Sequence, residues 1–281
     1  MLTTRYWPLF TVIFDLSINS LLYSNFSEIF LLSLVQGITE WFPISSSGHL
    51  VLFQEVFNIK VSATFDIMLH TGSLIGVVLF TRREIYAILK AFSKLDFNSS
   101  EGRMLTYLVF GTIPIIISSI LLKEIIDIMF TNLLITGLAM LINGVILYLT
   151  KYSKPRGKLN IFKSMGIGVA QSFAIIPGIS RMGITISTAL ISGLDFDEAY
   201  KFSLLLSILS ITGGCVFKLK DFVFEEDSLS ILLGVSITAI ISILALRFLK
   251  KRLDRRSFYK FAYYSLAVGG IVLFLDILKP V

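Results

Sequence analysis

Residues 36–49 read QGITEWFPISSSGH, and residues 171–183 read QSFAIIPGISRMG. Each stretch lies inside an apolar run, 28–57 and 164–194, and each breaks that run in its middle with proline, glycine and serine. Proline removes a backbone donor and glycine permits unusual backbone angles, so neither run continues as one helix through its break. Non-helical backbone at membrane depth is tolerated only where protein buries it or water reaches it. Each run therefore reads as a re-entrant helical hairpin with a polar tip.

The rest of the chain fits a membrane setting. Its 281 residues are 55% hydrophobic and 16% charged, with mean hydropathy +0.82. Soluble domains carry about 25% charged residues, so this chain has too few to cover its own surface with charge. Disorder, a disulfide scaffold and an outer-membrane barrel are excluded with it. The single cysteine, Cys215, forms no internal disulfide and reads as a small packing residue. Apolar segments long enough to cross a bilayer lie at 64–80, 104–122, 130–150, 198–217, 229–249 and 260–278.

The net charge of +6 is unevenly distributed. Loops 81–103, 151–163 and 250–260 hold sixteen Lys and Arg residues, whereas 53–63, 123–129 and 218–228 hold only Lys60, Lys123, Lys218 and Lys220. The positive-inside rule places the first set in the cytoplasm and the second outside. Runs 28–57 and 164–194 must then each leave on the side they entered, the first outside and the second inside. The expected fold is an all-α polytopic membrane protein with an inverted-topology repeat, each half a re-entrant helical hairpin plus three transmembrane helices. The halves are 28–150 and 164–281, joined by a basic cytoplasmic linker at 151–163. At an offset of 135 residues Gln36 meets Gln171, Ile44 meets Ile179, Ser45 meets Ser180 and Gly48 meets Gly183. Interrupted segments at matching places in two halves point to a site between them near the midplane. Residues 1–27 form a separate segment, whose apolar stretch 6–23 reads as a retained helix.

The two tips concentrate the polar chemistry. Gln36 and Glu40, four apart, share a helix face above Ser45, Ser46 and Ser47, with His49 just beyond. An intramembrane carboxylate beside a histidine is a functional-site hypothesis by default. Arg181 stands at the opposite tip and can grip a phosphate bidentately. If the tips meet, Arg181 and the amides around Gly178 and Gly183 would cradle an anion, facing Glu40, His49 and a serine. An anion clamp, a hydroxyl nucleophile or activated water, a proton-transfer group and a cation-binding carboxylate suit phosphoryl-group hydrolysis. The plainer alternative is a buried structural ion pair between Arg181 and Glu40.

These two motifs, in order and on broken segments, resemble the bacitracin-resistance family of undecaprenyl-diphosphate phosphatases over roughly 28–278. The resemblance implies a plasma-membrane enzyme with its site facing the extracytoplasmic side. Such an enzyme removes the terminal phosphate of a polyprenyl diphosphate, recycling the carrier lipid for envelope glycan synthesis and conferring bacitracin resistance. It further implies a divalent cation (Mg2+ or Ca2+) held in part by Glu40. Ser46 becomes the candidate nucleophile, His49 the motif histidine and Arg181 the phosphate-binding arginine. Gln36, Ser45, Ser47, Gly48, Gly178, Ser180 and Gly183 are then expected around the substrate. Two departures stand out: Gln36 removes a carboxylate that relatives can carry there, and Met182 replaces the last serine of the second motif. His70, one helical turn after Asp66, reads as part of a structural pair, with the substrate path as the alternative.

Either Ser46, deprotonated by His49, attacks phosphorus, or His49 activates water directly. A lipid transporter or flippase for a polyprenyl phosphate uses the same architecture, with Glu40 and His49 as a proton-coupling pair. The partners expected are the polyprenyl diphosphate and membrane lipids, with a homodimer left open. No nucleic acid is needed, because orientation and anionic headgroups account for the basic loops.

Overall fold

The computed structural model describes residues 26–59, 61–130, 132–218 and 228–278. The apolar stretch 6–23 and most of loop 218–228 lie outside them. Among the described residues there is no strand. The helices in chain order are α1 (Phe26–Thr39), α2 (Ser46–Val56), α3 (Ala63–Phe80), α4 (Arg82–Ser93), α5 (Ser100–Leu121), α6 (Lys123–Phe130) and α7 (Leu133–Leu149). They continue with α8 (Ile161–Ser172), α9 (Arg181–Ile191), α10 (Phe196–Lys218), α11 (Ser228–Arg252), α12 (Arg255–Phe258) and α13 (Phe261–Ile277).

The six apolar segments each coincide with one helix: α3, α5, α7, α10, α11 and α13. Among the described residues five stretches are long and apolar enough to cross a bilayer, and α3 with α4 makes a sixth, bent by 75° between them. The two interrupted runs form short helices instead. α2 and α9, with 11 residues each, reach roughly 16 Å at 1.5 Å per residue, about half the hydrocarbon thickness. The outward sides of the long helices are apolar: Ile113, Ile116, Ile117 and Ile120 of α5 are all exposed. Such a surface is stable in lipid and would aggregate in water. The chain is a multi-pass membrane protein.

Polar residues before the helices satisfy their first free amides. Ser62 Oγ accepts from Phe65 N, Ser99 Oγ from Gly102 N, and the Asn132 and Asn160 side chains from Ile135 N and Lys163 N. Between the long helices, small residues bring backbones together where no hydrophobic effect drives association. α3 packs on α11 through Gly72 and Gly76: a Cβ at these positions would stand 2.6 Å from Val235 O and from Ser242 Cβ. α5 meets α8 still more closely, since a Cβ on Gly168 would lie 2.3 Å from Gly111 O. α7 pairs with α13 in the same manner. The buried core runs through Trp41, Met182, Ile186, Phe202 and Leu246, so the two broken segments are held from behind by long helices.

Candidate active site

The tips of the two broken segments touch. Ser45 has φ 71°, a left-handed conformation that non-glycine residues rarely adopt, and this turn aims its hydroxyl back into the junction. Ser45 Oγ accepts from Gly48 N (3.2 Å) at the start of α2 and from Gly178 N (3.1 Å) across the junction. Ser180 Oγ accepts from Gly183 N (3.0 Å) and donates to Phe42 O (3.3 Å). Asn143 of α7 bridges both tips, donating to Pro43 O (3.0 Å) and accepting from Ser180 N (3.1 Å). Backbone contact is so close that a Cβ on Gly48 would come within 3.1 Å of Gly178 Cα. Gly178 itself has φ 105°, and a side chain there would meet Thr136 O at 2.4 Å.

These bonds correct one expectation. The amides of Gly178 and Gly183 are engaged by serine hydroxyls inside the junction, so they do not form an anion cradle. Ser45, Gly48, Gly178 and Gly183 hold the tips together. Ser46, Ser47, Ser180 and Arg181 reach the cavity beside them, which has a volume of about 490 Å³ and is also lined by Glu40, Asp66 and His70.

Glu40 is the hub of that cavity. Its Oε2 accepts from Ser46 Oγ at 2.5 Å and from Gln36 Nε2 at 2.9 Å, and its Oε1 pairs with Arg181 Nη2 at 2.7 Å. The ion pair expected as the plainer alternative therefore exists, on a side chain that also lines the cavity. Arg181 Nη1 reaches Ser210 Oγ (3.3 Å) and Ser207 O (3.4 Å), which anchors the guanidinium against α10. Gln36, fully buried, stands behind Glu40 and positions it.

His49 is placed elsewhere. It is buried, with Nδ1 2.6 Å from Ser45 O and Nε2 2.9 Å from Tyr264 Oη, and its ring stacks on Tyr264. Because a carbonyl only accepts, Nδ1 carries the proton and Nε2 accepts from the tyrosine hydroxyl. Both nitrogens are thus engaged, and the group hydrogen-bonded to Ser46 is Glu40. His70 is the residue that the sequence reading undervalued: its Nδ1 is 2.9 Å from Gln36 Nε2 and 3.3 Å from Glu40 Oε2. Asp66, on the same cavity, accepts from Gln54 Nε2 at 3.0 Å. Neither Ser210 nor Tyr264 could have been found from local spacing, whereas Asn143 carries a signal, an amide in the otherwise apolar run 133–149.

Among the described residues no three His, Cys, Asp or Glu side chains converge as a metal cage. Two oxygen donors of the kind a hard cation takes, the carboxylates of Glu40 and Asp66, line the cavity, whereas Gln36, its Oε1 without a hydrogen-bond partner, is buried and not on the cavity wall. Mg2+ is commonly held by one or two carboxylates and completed by substrate phosphates. Arg181 with a Glu40–Ser46 hydrogen bond can bind a phosphoryl group and activate a hydroxyl toward it. The far wall of the cavity is apolar, with Ile67, Phe130, Ile175 and Ile211, and suits a hydrocarbon chain.

Comparison with known proteins bears on that chemistry. The family profile described as bacitracin resistance protein BacA matches residues 29–271. The undecaprenyl-diphosphatase of Korarchaeum cryptofilum is 38% identical over 261 residues, covering 89% of this chain and 98% of the relative. The undecaprenyl-diphosphatase of Pelotomaculum thermopropionicum is 36% identical over 249 residues, covering 87% and 94%. A third, from Methanobrevibacter smithii, is 34% identical over 261 residues, covering 86% and 94%.

Proposed function

The chain belongs to the bacitracin resistance protein BacA family, and we infer from that membership that it is an undecaprenyl-diphosphatase acting at the Glu40–Ser46–Arg181 cavity. It hydrolyses the lipid diphosphate to the monophosphate and inorganic phosphate, and by that reaction recycles the carrier lipid. The observation that carries the assignment of the site is the 2.5 Å bond from Ser46 Oγ to Glu40 Oε2, on a carboxylate already paired with Arg181. A hydroxyl held by a carboxylate next to an anion clamp favours hydrolysis over transport of the lipid.

In this reading the diphosphate enters the cavity and draws the Arg181 guanidinium onto the terminal phosphoryl oxygens. That frees Glu40 Oε1 and leaves the carboxylate a better proton acceptor. Ser46 Oγ then bonds to the terminal phosphorus as the bond to the bridging oxygen breaks, and the Ser46 proton passes to Glu40. The lipid monophosphate leaves, its former bridging oxygen taking the proton from Glu40. Water then attacks the seryl phosphate, and Glu40 takes its proton and hands it to Ser46 Oγ as the Oγ–P bond breaks, releasing phosphate and restoring Ser46. Phosphoryl transfer is catalysed chiefly by positioning and charge neutralisation, which Arg181 and the junction supply. A divalent cation held by Glu40, with Asp66 on the same cavity, would add further neutralisation of the phosphate charge. His49 fastens the strained Ser45 turn that presents Ser46.

The fold is read as the inverted repeat. Support comes from the 135-residue offset: α2 and α9 both have 11 residues and begin at 46 and 181. Ser45 and Ser180 each cap the amide three residues on. Packing is exchanged accordingly, with α11 against α3 and α1 where α5 lies against α10 and α8. The interrupted segments then enter and leave on one side. The cavity lies toward the ends of α3 and α10 that lead to the weakly basic loops, which favours an extracytoplasmic opening in the plasma membrane.

Phosphate release from a long-chain polyprenyl diphosphate by purified protein in detergent tests the proposal, with and without EDTA. Glu40→Gln and Arg181→Ala should each lower kcat/KM by about a thousandfold, about 4 kcal/mol. Release that survives both substitutions would move the reaction away from this cavity.

A further inference from the structure

A second cavity, of about 410 Å³, opens between the α3–α4 bend and the end of α11. Four cations line it, Arg82, Arg83, Arg247 and Lys250, against the single carboxylate of Glu84. All four are exposed, and among the described residues none of them has a carboxylate within ion-pair distance. Lys250 instead holds its ammonium 5.6 Å from the centre of the Phe80 ring. The inner walls are apolar, formed by Leu79, Phe80 and Ile243. Along α3 this crevice is about 14 residues from Asp66 of the catalytic cavity, roughly 20 Å, so it belongs to the opposite end of the helix.

We propose that this crevice binds the headgroup of an anionic membrane phospholipid. Four like charges crowded on one concavity repel one another, and an anion seated among them removes that cost. The apolar walls require more than a free ion, because a phosphate alone leaves Leu79, Phe80 and Ile243 without a partner. A phospholipid supplies both parts, its phosphate to the arginines and the start of its acyl chains to the walls. Basic pockets between membrane helices take such headgroups. The neighbouring helix is built for the same interface: α4 turns 75° away from α3, exposes Tyr86, Leu89 and Phe92, and carries Arg82, Arg83 and Lys90. Leu244 and Phe248 of α11, exposed beside Arg247 and Lys250, extend the apolar surface that the lipid would follow.

The test is native mass spectrometry of delipidated, detergent-purified full chain titrated with dioleoyl phosphatidylglycerol, dioleoyl phosphatidylcholine or inorganic phosphate. Wild type should retain phosphatidylglycerol at least about tenfold more tightly than phosphatidylcholine, and millimolar phosphate should not displace it. Arg82→Ala with Arg247→Ala should weaken phosphatidylglycerol about 10- to 30-fold, from the loss of two cations at the surface. Lys154→Ala with Lys158→Ala removes the same charge from the linker and should leave the affinity unchanged. Unaltered hydrolytic activity in the Arg82/Arg247 variant certifies its fold. Where that variant does not fold, Arg247→Ala and Lys250→Ala singly carry the test, each with about a fivefold loss. Equal affinity of wild type and variant, equal binding of phosphatidylcholine, or displacement by phosphate would each overturn the proposal; the last would make the crevice a free-anion site.

Discussion

Ser46 and Glu40 are six residues apart, and the break between α1 and α2 folds the chain so that the hydroxyl returns to the carboxylate. If they act as one unit, their losses should not add. Ser46→Ala and Glu40→Gln are each expected to lower kcat by about a thousandfold, and the double variant by no more than about threefold beyond either single. Single-turnover phosphate release measures this, and multiplicative losses would separate the two roles. His49→Gln should act differently, since its ring touches Ser45 O and Tyr264 rather than Ser46. We expect about a 10- to 100-fold loss in kcat, with a lowered thermal midpoint, and a milder loss of the same kind from Tyr264→Phe. A loss in His49→Gln equal to that of Glu40→Gln, with unchanged stability, would restore His49 as the base. That Glu40, Ser46 and Arg181 come together was legible in the sequence because their motifs are local and polar in an apolar setting. The contact of His49 with Tyr264, 215 residues away, was not, because no spacing rule links residues that only tertiary packing brings together.

At the scale of helices, close approach replaces the hydrophobic effect as the source of order. α8 provides a matched comparison two residues apart. A Cβ on Gly168 would overlap the Gly111 carbonyl of α5 at 2.3 Å, while one on Gly166 would meet nothing within 4 Å. Gly168→Val should therefore force α5 and α8 apart and cost about 1–3 kcal/mol or more. The thermal midpoint and monodisperse yield in detergent should both fall, and activity with them, since α8 leads into the tip that carries Arg181. Gly166→Val should leave all three near wild type. Equal effects would mean that helix propensity or insertion decides, not packing. The six long helices were legible from hydropathy, which needs only a continuous apolar run. Their pairing was not: glycine spacing in a membrane helix marks a close contact without saying with which neighbour. The bend between α3 and α4 was also missed, because the basic residues from Arg82 onward read equally well as a loop.

For the whole molecule, the inverted repeat reduces to a question of sides. A broken segment that truly re-enters brings its two ends to one face of the membrane, whereas a broken but complete crossing brings them to opposite faces. Single cysteines introduced into a Cys215→Ala background decide between these, after activity has been confirmed. Phe26→Cys and Phe57→Cys flank the first broken segment, and Lys158→Cys and Asp197→Cys the second; Phe26, Phe57, Lys158 and Asp197 are all exposed. The charge distribution predicts that a membrane-impermeant maleimide labels 26 and 57 in intact cells or right-side-out vesicles. Residues 158 and 197 should react only after the membrane is opened, as should Lys94→Cys in the first basic loop. Glu124→Cys, between α5 and α7, should follow the first pair. Labelling of 26 and 57 from opposite sides would make the first segment a full crossing, and with it the two halves would no longer be inverted. Position 57 would still report the cavity, because Asp66 and His70 near the start of α3 line it; labelling of 57 from outside keeps the reaction extracytoplasmic even where 26 is reached only from within.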